Sequence, residues 1–285
     1  MSSNSTTLLI KQAQILLQDG TFLLGDVRIN NGHITEVASS ITPNETDRVI
    51  DATGLTLLPV VIDPQVHFRE PGLEHKEDLS TASLACARGG VTSFLEMPNT
   101  KPLTCNQAAL DDKLQRAASK SLVNYGFFIG ATANNIADLL TVEPTCGIKI
   151  FMGSSHGPLL VSTEEEIEPI FAQGTRLIAV HAEDQARIVA RRKQFKDRSD
   201  PAVHSEIQDE QAALNATKLA LKLSKKYQRR LHILHLSTGI EAELLRQEKP
   251  SWVTAEVTPQ HYITQYSSLR KNWHFSSNES PIAIA

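Results

Sequence analysis

The sequence predicts an α/β protein, namely a TIM-like (β/α) barrel that is missing its last unit and follows a small N-terminal β-domain. Short β-like runs separated by turn residues fill the first 54 positions. From Leu55 onward, apolar strands alternate with amphipathic helices. Polar side chains stand at the carboxyl end of strand after strand, where barrel enzymes carry their reactive groups. We therefore expect two domains, residues 1–54 and residues 55–285.

The predicted β-domain consists of extended segments with turn signals between them. The segments are Leu8–Leu17, Thr21–Asn30 and His33–Val37. Asn31-Gly32 is a strong hairpin signal, because both residues tolerate the positive φ angles that a two-residue turn requires.

The region from Leu55 contains seven strand candidates with helical patterns between them. The strands are predicted at Leu55–Ile62, Val91–Met97, Leu122–Ile129, Gly147–Met152, Arg176–His181, Arg230–Leu236 and Trp252–Val257. The helices are predicted at Lys76–Arg88, Asn106–Ala118, Asn135–Leu140, Thr163–Phe171, Asp184–Phe195, Ser205–Lys226 and Gly239–Arg246. Such alternation is typical of parallel strands that are buried on both faces.

Seven units leave two architectures to compare. A closed (β/α) barrel uses eight strands. A doubly wound open sheet needs no eighth strand, but it places its ligands at one switch point. Polar residues here follow many successive strands, which favours the barrel without its last unit.

The composition of the sequence argues against several classes of function. The formal net charge is −4, so the sequence offers no basic surface of the kind that nucleic-acid binding requires. The cysteines at positions 86, 105 and 146 are widely spaced and odd in number, which suggests neither a disulfide framework nor a C-x-x-C metal site. We expect a reducing cytoplasm, with no secretory signal and no membrane span.

Five polar residues occupy corresponding places in successive units. They are His67, Asn99, Lys149, His181 and His235. A single histidine or asparagine at a strand end is more often structural, because it satisfies loop carbonyls. Five of them at equivalent positions indicate a functional site, and the three histidines are candidate metal ligands.

Gln65 and His67 form the first part of this pattern. Side chains at i and i+2 of a strand point to the same face, so both residues project toward the same site. Two imidazoles there would chelate a divalent metal. Gln65 offers only an amide oxygen, which is a weaker zinc ligand than a neutral imidazole nitrogen.

Lys149 stands between Ile148 and Ile150 in an apolar strand. Burial of an uncompensated ammonium is costly, and the cost falls if the amine is neutral and becomes carboxylated. A lysine carbamate could then bridge two metal ions as a carboxylate does. The alternative is a lysine on an edge strand whose amine extends to solvent.

These motifs resemble those of the dihydroorotase branch of the amidohydrolase superfamily, close to allantoinases and hydantoinases. The resemblance extends from the N-terminal β-domain to about residue 262. It is carried by Asp63–Gly72 with Gln65 in place of the first histidine, Glu96–Thr100, Lys149–Ser155, the segments around His181 and His235, and Val257–His261.

The resemblance implies a metal-dependent hydrolase barrel with one or two zinc ions that hydrolyses dihydroorotate reversibly to carbamoyl aspartate in pyrimidine biosynthesis. Lys149 would be the carbamate bridge, His181 and His235 would hold one zinc, and His67 the other. Arg69 and Asn99 would bind the substrate carboxylate. The small β-domain would be one part of a composite β-sandwich. The resemblance also implies a homo-oligomer, because members of the family often form one.

Departures from the family pattern leave alternatives open. Gln65 stands at a lost ligand position, and the sequence has no counterpart of the aspartate that serves as general acid and base after strand eight. One zinc is therefore expected more than two, and none remains an option. The alternatives are a non-catalytic scaffold, for example for aspartate transcarbamoylase, a decayed fragment, or an allantoinase or hydantoinase.

Overall fold

The computed structural model describes residues 7–155 and 157–263. The chain divides into two compact units between Val61 and Ile62. None of the helices described is long and apolar enough to cross a membrane.

The first unit is a five-stranded sheet. Its strands are β1 (Thr7–Leu16), β2 (Phe22–Asn30), β3 (His33–Ala38), β4 (Asp47–Asp51) and β5 (Thr56–Leu57), in the order β3-β2-β1-β4 with β5 also beside β1. The predicted hairpin is confirmed, because β2 and β3 pair antiparallel and both Asn31 and Gly32 have positive φ. Buried side chains of Ala13, Ile15 and Val27 form its core.

The predicted strand Leu55–Ile62 is wrong. Thr56 and Leu57 pair with β1 in the first unit, and the barrel strand β6 runs from Val61 to Val66. Pro59 separates the two strands. Since proline has no N–H to donate to a ladder, one continuous strand across this apolar run is disfavoured.

The second unit contains the barrel strands. They are β6 (Val61–Val66), β7 (Val91–Glu96), β8 (Asn124–Phe127), β9 (Ile129–Gly130), β10 (Ile148–Phe151), β11 (Ile178–His181), β12 (Leu231–Ile233) and β13 (Val253–Ala255). They form two ladders, β6-β7-β8 and β9-β10-β11-β12-β13. Only Phe128 separates β8 from β9, so the two occupy one strand position.

The neighbours in these ladders follow sequence order. A doubly wound sheet would reverse its order at a switch point, so the order favours the barrel. The pairs from β9 to β13 are parallel, as predicted. Within the described residues no pairing joins β13 to β6, and the barrel is open.

Helices follow the strands and cover them. They are α1 (Leu79–Gly89), α2 (Gln107–Lys120), α3 (Ile136–Thr141), α4 (Glu164–Ala172), α5 (Gln185–Gln194), α6 (Val203–Ile207), α7 (Glu210–Tyr227), α8 (Gly239–Glu248) and α9 (Pro259–Ile263). Side-chain oxygens cap several N-termini, as Asp78 does for α1 and Asn106 for α2. The predicted helix Ser205–Lys226 is instead two helices, because Asp209 accepts the N–H of Ala212 and begins α7.

A buried ion pair joins β7 to α2. Lys113 Nζ lies 2.9 Å from Glu96 Oε2, and both side chains are almost completely buried. Burial raises the pKa of Glu96 and lowers that of Lys113, while their mutual attraction opposes both shifts. The other carboxylate oxygen of Glu96 accepts the N–H of Phe68 at 3.1 Å. The pair therefore also holds the segment that follows β6.

We expect Lys113→Met to lower the free energy of unfolding by about 3–5 kcal/mol, because it leaves the Glu96 carboxylate buried and unpaired. Denaturant unfolding measures this change. The double variant Glu96→Gln/Lys113→Met should lose less of the free energy of unfolding than the single variant, since it buries no charge. A double variant that loses at least as much as Lys113→Met would show that the unpaired charge is not the cause.

Candidate active site at the strand ends

The structure brings the predicted polar residues to the carboxyl ends of the barrel strands. His67 follows β6, Asn99 follows β7, and Lys149 lies within β10. His181 is the last residue of β11, and His235 lies just beyond β12. The structure therefore places these side chains on or just after strands of the barrel.

Gln65, His67 and Asn99 form a hydrogen-bonded chain. Nε2 of Gln65 lies 3.1 Å from Nε2 of His67, and Nδ1 of His67 lies 2.8 Å from Oδ1 of Asn99. The amide oxygen of Asn99 can only accept, so His67 carries its proton on Nδ1. Its Nε2 lone pair therefore accepts from the Gln65 amide.

His67 is held in the neutral form. Burial lowers its pKa from 6.5 to about 3, and the positive charge of Arg69 adds to this shift. Neutral imidazole is the form that binds metals. In this structure, however, the ring nitrogen that a metal would use is occupied by the amide of Gln65.

Lys149 is buried in the centre of the sheet. It is 1% exposed, and β10 pairs with β9 on one side and β11 on the other, so the alternative of a lysine on an edge strand is wrong. Its Nζ lies 4.5 Å from the ring centroid of Phe151. Burial lowers the pKa of Lys149 well below its ordinary value, and the negative charge of Glu256 opposes this only in part. Burial therefore favours the neutral amine.

His181 and His235 face each other at the ends of neighbouring strands. Nδ1 of His181 lies 2.9 Å from Nε2 of His235. Nε2 of His181 lies 2.7 Å from the carboxylate of Glu183, which can only accept when ionised. His181 therefore donates its Nε2 proton to Glu183 and presents the Nδ1 lone pair to His235.

Two residues of the site have left-handed backbone conformations. Arg69 has a φ of 68° and His235 has a φ of 39°. Such conformations cost about 1–3 kcal/mol for residues other than glycine, and they persist where neighbouring contacts fix them. Both lie in the segment that follows a barrel strand.

The two predicted metal positions differ in how well their residues fit an ion. Within residues 7–155 and 157–263, no three His, Cys, Asp or Glu side chains gather closely enough to hold a metal. His181 and His235 present two facing imidazole nitrogens, and Lys149 is the candidate third ligand. Two imidazole nitrogens and a lysine carbamate would match the kinds of ligand that zinc takes. The position at His67 does not fit, because Gln65 binds the nitrogen it needs.

Sequence reasoning missed the carboxylates that hold these histidines. Glu183 contacts the His181 ring, and Glu256 accepts the backbone N–H of His235 at 3.3 Å. Glu256 also contacts His232, whose Nε2 lies 3.1 Å from its carboxylate. Glu183 stands next to the histidine motif of His181, and Glu256 lies in the last predicted strand. These positions were the sequence signal that could have identified both carboxylates.

Comparisons with known proteins agree with this architecture. An L-hydantoinase (dihydropyrimidinase) from Arthrobacter aurescens superposes with a TM-score of 0.91 at 25% identity, covering 98% of this chain and 64% of that one. A dihydropyrimidinase from Brevibacillus agri superposes with a TM-score of 0.80 at 24% identity, covering 94% and 60%. The fold is therefore the TIM-like fold of the amidohydrolases.

Sequence comparisons indicate which amidohydrolases this chain is similar to in sequence. A family model described as dihydro-orotase-like matches residues 54–154. A dihydroorotase of Methanosarcina acetivorans is 34% identical over 270 residues, covering 90% of this chain and 58% of the relative. That of Methanothermobacter thermautotrophicus is 31% identical, covering 86% and 56%. The chain is therefore similar to dihydroorotases over most of its own length, and it spans just over half the length of these relatives.

The lowered pKa of His67 predicts that the stability of the metal-free protein depends on pH. Its folded pKa of about 3 lies below the ordinary 6.5, so between these values the unfolded chain takes up a proton that the folded chain does not. Stability should therefore fall as the pH falls from 6.5 toward 3, by up to about 1.4 kcal/mol per pH unit. His67→Gln should have a shallower dependence in denaturant unfolding. Identical slopes would contradict the lowered pKa.

Gln65→His should create a better metal position beside His67. The side chains at 65 and 67 already converge, so a histidine would place a second imidazole where the amide now donates. We expect at least about tenfold tighter zinc binding by chelator competition, because imidazole nitrogen is a far better ligand than an amide. Gln65→Leu is the control, since it removes the amide without adding a ligand. Equal affinities for the two variants would contradict the inward placement of residue 65.

Proposed function

We propose that this chain carries a dihydroorotase-type active site that hydrolyses the cyclic amide of dihydroorotate reversibly to carbamoyl aspartate in pyrimidine biosynthesis. The observation that carries the proposal is the buried amine of Lys149 on the strand next to that of His181, which contacts His235. Among the described residues the amine contacts an aromatic ring and no carboxylate, so a charged ammonium there would be costly. The curated relatives are named dihydroorotases, which favours this reaction over the alternatives.

Lys149, His181 and His235 would hold a single zinc ion. The neutral amine of Lys149 can add CO2, forming an N–C bond and releasing one proton, and the carbamate then supplies an anionic oxygen ligand. Glu183 would keep His181 in the tautomer whose Nδ1 is free to bind. When bound, zinc lowers the pKa of water toward neutrality and polarises a carbonyl oxygen.

Arg69 and Asn99 would bind the carboxylate of the substrate. The oxygen of Asn99 is engaged by His67, which leaves its amide nitrogen as a donor. The guanidinium of Arg69 lies close enough to His67 to lower its pKa. A guanidinium and an amide donor together match a carboxylate, so the site would prefer an anionic ring to an uncharged hydantoin.

The family resemblance also supports proposals about the cell compartment and about partner proteins. The described cysteines are free thiols, which supports a reducing cytoplasm. A homo-oligomer or a partner of the aspartate transcarbamoylase type is proposed from the family resemblance alone.

We expect the purified protein to retain close to one zinc ion after dialysis against metal-free buffer, and Lys149→Met to lose it together with dihydroorotate hydrolysis. The substitution removes the nitrogen that carboxylation requires. Elemental analysis and a hydrolysis assay in bicarbonate buffer make the two measurements. Lys222→Met is the matched control, because that lysine is exposed on α7 and pairs with Glu164.

The substrate is tested in the same assay. Dihydroorotate should be hydrolysed with a kcat/KM about 100-fold or more above that for hydantoin, because the uncharged ring leaves the donors of Arg69 and Asn99 without a carboxylate. Unchanged zinc content and rate in Lys149→Met would overturn the assignment of Lys149. A preference for hydantoin would overturn the substrate.

A further inference from the structure

Glu256 connects the end of β13 to the loop that carries His235. Its side-chain Oε1 accepts the N–H of His235 at 3.3 Å. Its backbone carbonyl accepts the N–H of Leu236 at 2.7 Å, and its own N–H donates to the carbonyl of Ile233 at 3.0 Å. Glu256 therefore holds this loop through both its main chain and its side chain.

His232 fixes the orientation of the Glu256 carboxylate. Nε2 of His232 lies 3.1 Å from Oε2 of Glu256, and Nδ1 lies 2.7 Å from Oγ1 of Thr254. An ionised carboxylate only accepts, so His232 carries a proton on Nε2. The neutral ring then accepts the hydroxyl proton of Thr254 on Nδ1. Each carboxylate oxygen of Glu256 thus has its own donor.

The contact of Glu256 with His235 coincides with the left-handed conformation of His235. With a φ of 39°, His235 has left the strand geometry of β12. Its N–H is instead taken up by the side chain of Glu256. The same turn brings the His235 ring to 4.8 Å from the His181 ring, measured between centroids.

We propose that Glu256, oriented by His232, is a positioning residue that sets the direction of the His235 imidazole toward His181. This inference rests on the proposed function in one respect, since His235 serves there as a zinc ligand. The direction of the ring itself can be tested without metal. The general expectation is that outer partners of a metal ligand change metal affinity 10- to 100-fold when they are removed.

The main variant is Glu256→Gln. Its amide places an NH2 donor where one of the two carboxylate oxygens stands, and His232 and His235 each use a different oxygen, so one of these donors then faces another donor. Glu241→Gln is the matched control. Glu241 is a buried carboxylate on α8 that accepts from the hydroxyls of Thr217 and Thr238 and does not contact His235.

A second pair of variants keeps the test valid if Glu256→Gln folds poorly. His232→Gln retains an N–H donor for the carboxylate of Glu256, whereas His232→Leu has no donor. If the network positions His235, the glutamine variant should keep most of the zinc affinity and the leucine variant should lose it. Equal effects of the two would show that packing at position 232 is the cause.

The first readout is nitrogen NMR of the histidine rings in the metal-free protein. The contact with His181 predicts an Nε2–H tautomer for His235 in the unaltered chain. Glu256→Gln should mix the tautomers of His235, while Glu241→Gln should leave them unchanged. Unchanged His235 signals in Glu256→Gln would overturn the inference, even if that variant is less stable.

The second readout is zinc affinity by chelator competition. We expect Glu256→Gln to weaken zinc binding about 10- to 100-fold while Glu241→Gln binds as the unaltered chain does. Equal zinc affinity in Glu256→Gln would overturn the inference. If the unaltered chain binds no zinc, the proposed function fails, and the ring signals alone then decide whether Glu256 positions His235.

Discussion

The burial of the Lys149 amine is the constraint on which the candidate site depends. β10 is paired on both sides, and the Lys149 side chain at its second position is buried. The described structure places an aromatic ring beside the amine and no carboxylate in contact with it. A charged lysine in such a place would be costly, and a neutral amine is the form that reacts with CO2. Burial therefore makes the charged amine costly and also favours the neutral amine that can react with CO2.

The site is asymmetric around this lysine. On one side, His181 and His235 present facing ring nitrogens that could hold an ion. On the other, Gln65 occupies the nitrogen of His67 that an ion would need. On both sides an oxygen acceptor or a neighbouring ring fixes which ring nitrogen carries the proton. The difference between them comes from one side chain, the amide at position 65.

Buried carboxylates hold the loops from which the site is built. Glu96, itself paired with Lys113, accepts the N–H of Phe68 and so holds the segment that leads to Arg69. Glu256 does the same for the loop of His235. In each case a carboxylate at the end of one strand satisfies the backbone of the preceding strand's loop. Left-handed residues can exist there because their N–H groups or those of their neighbours have acceptors.

The sequence by itself determined the alternation of strands and helices, the hairpin at Asn31-Gly32, and the set of polar residues at the strand ends, because these depend on local periodicity and turn chemistry. It misplaced the first barrel strand, since an apolar run does not show which sheet its residues join. Only the tertiary structure decided that Gln65 binds His67, that Lys149 is enclosed on both sides, and that Glu256 reaches His235. The enclosure of Lys149 and the contact of Glu256 with His235 join residues on different strands, and the Gln65–His67 contact depends on side-chain direction. Both are set by packing.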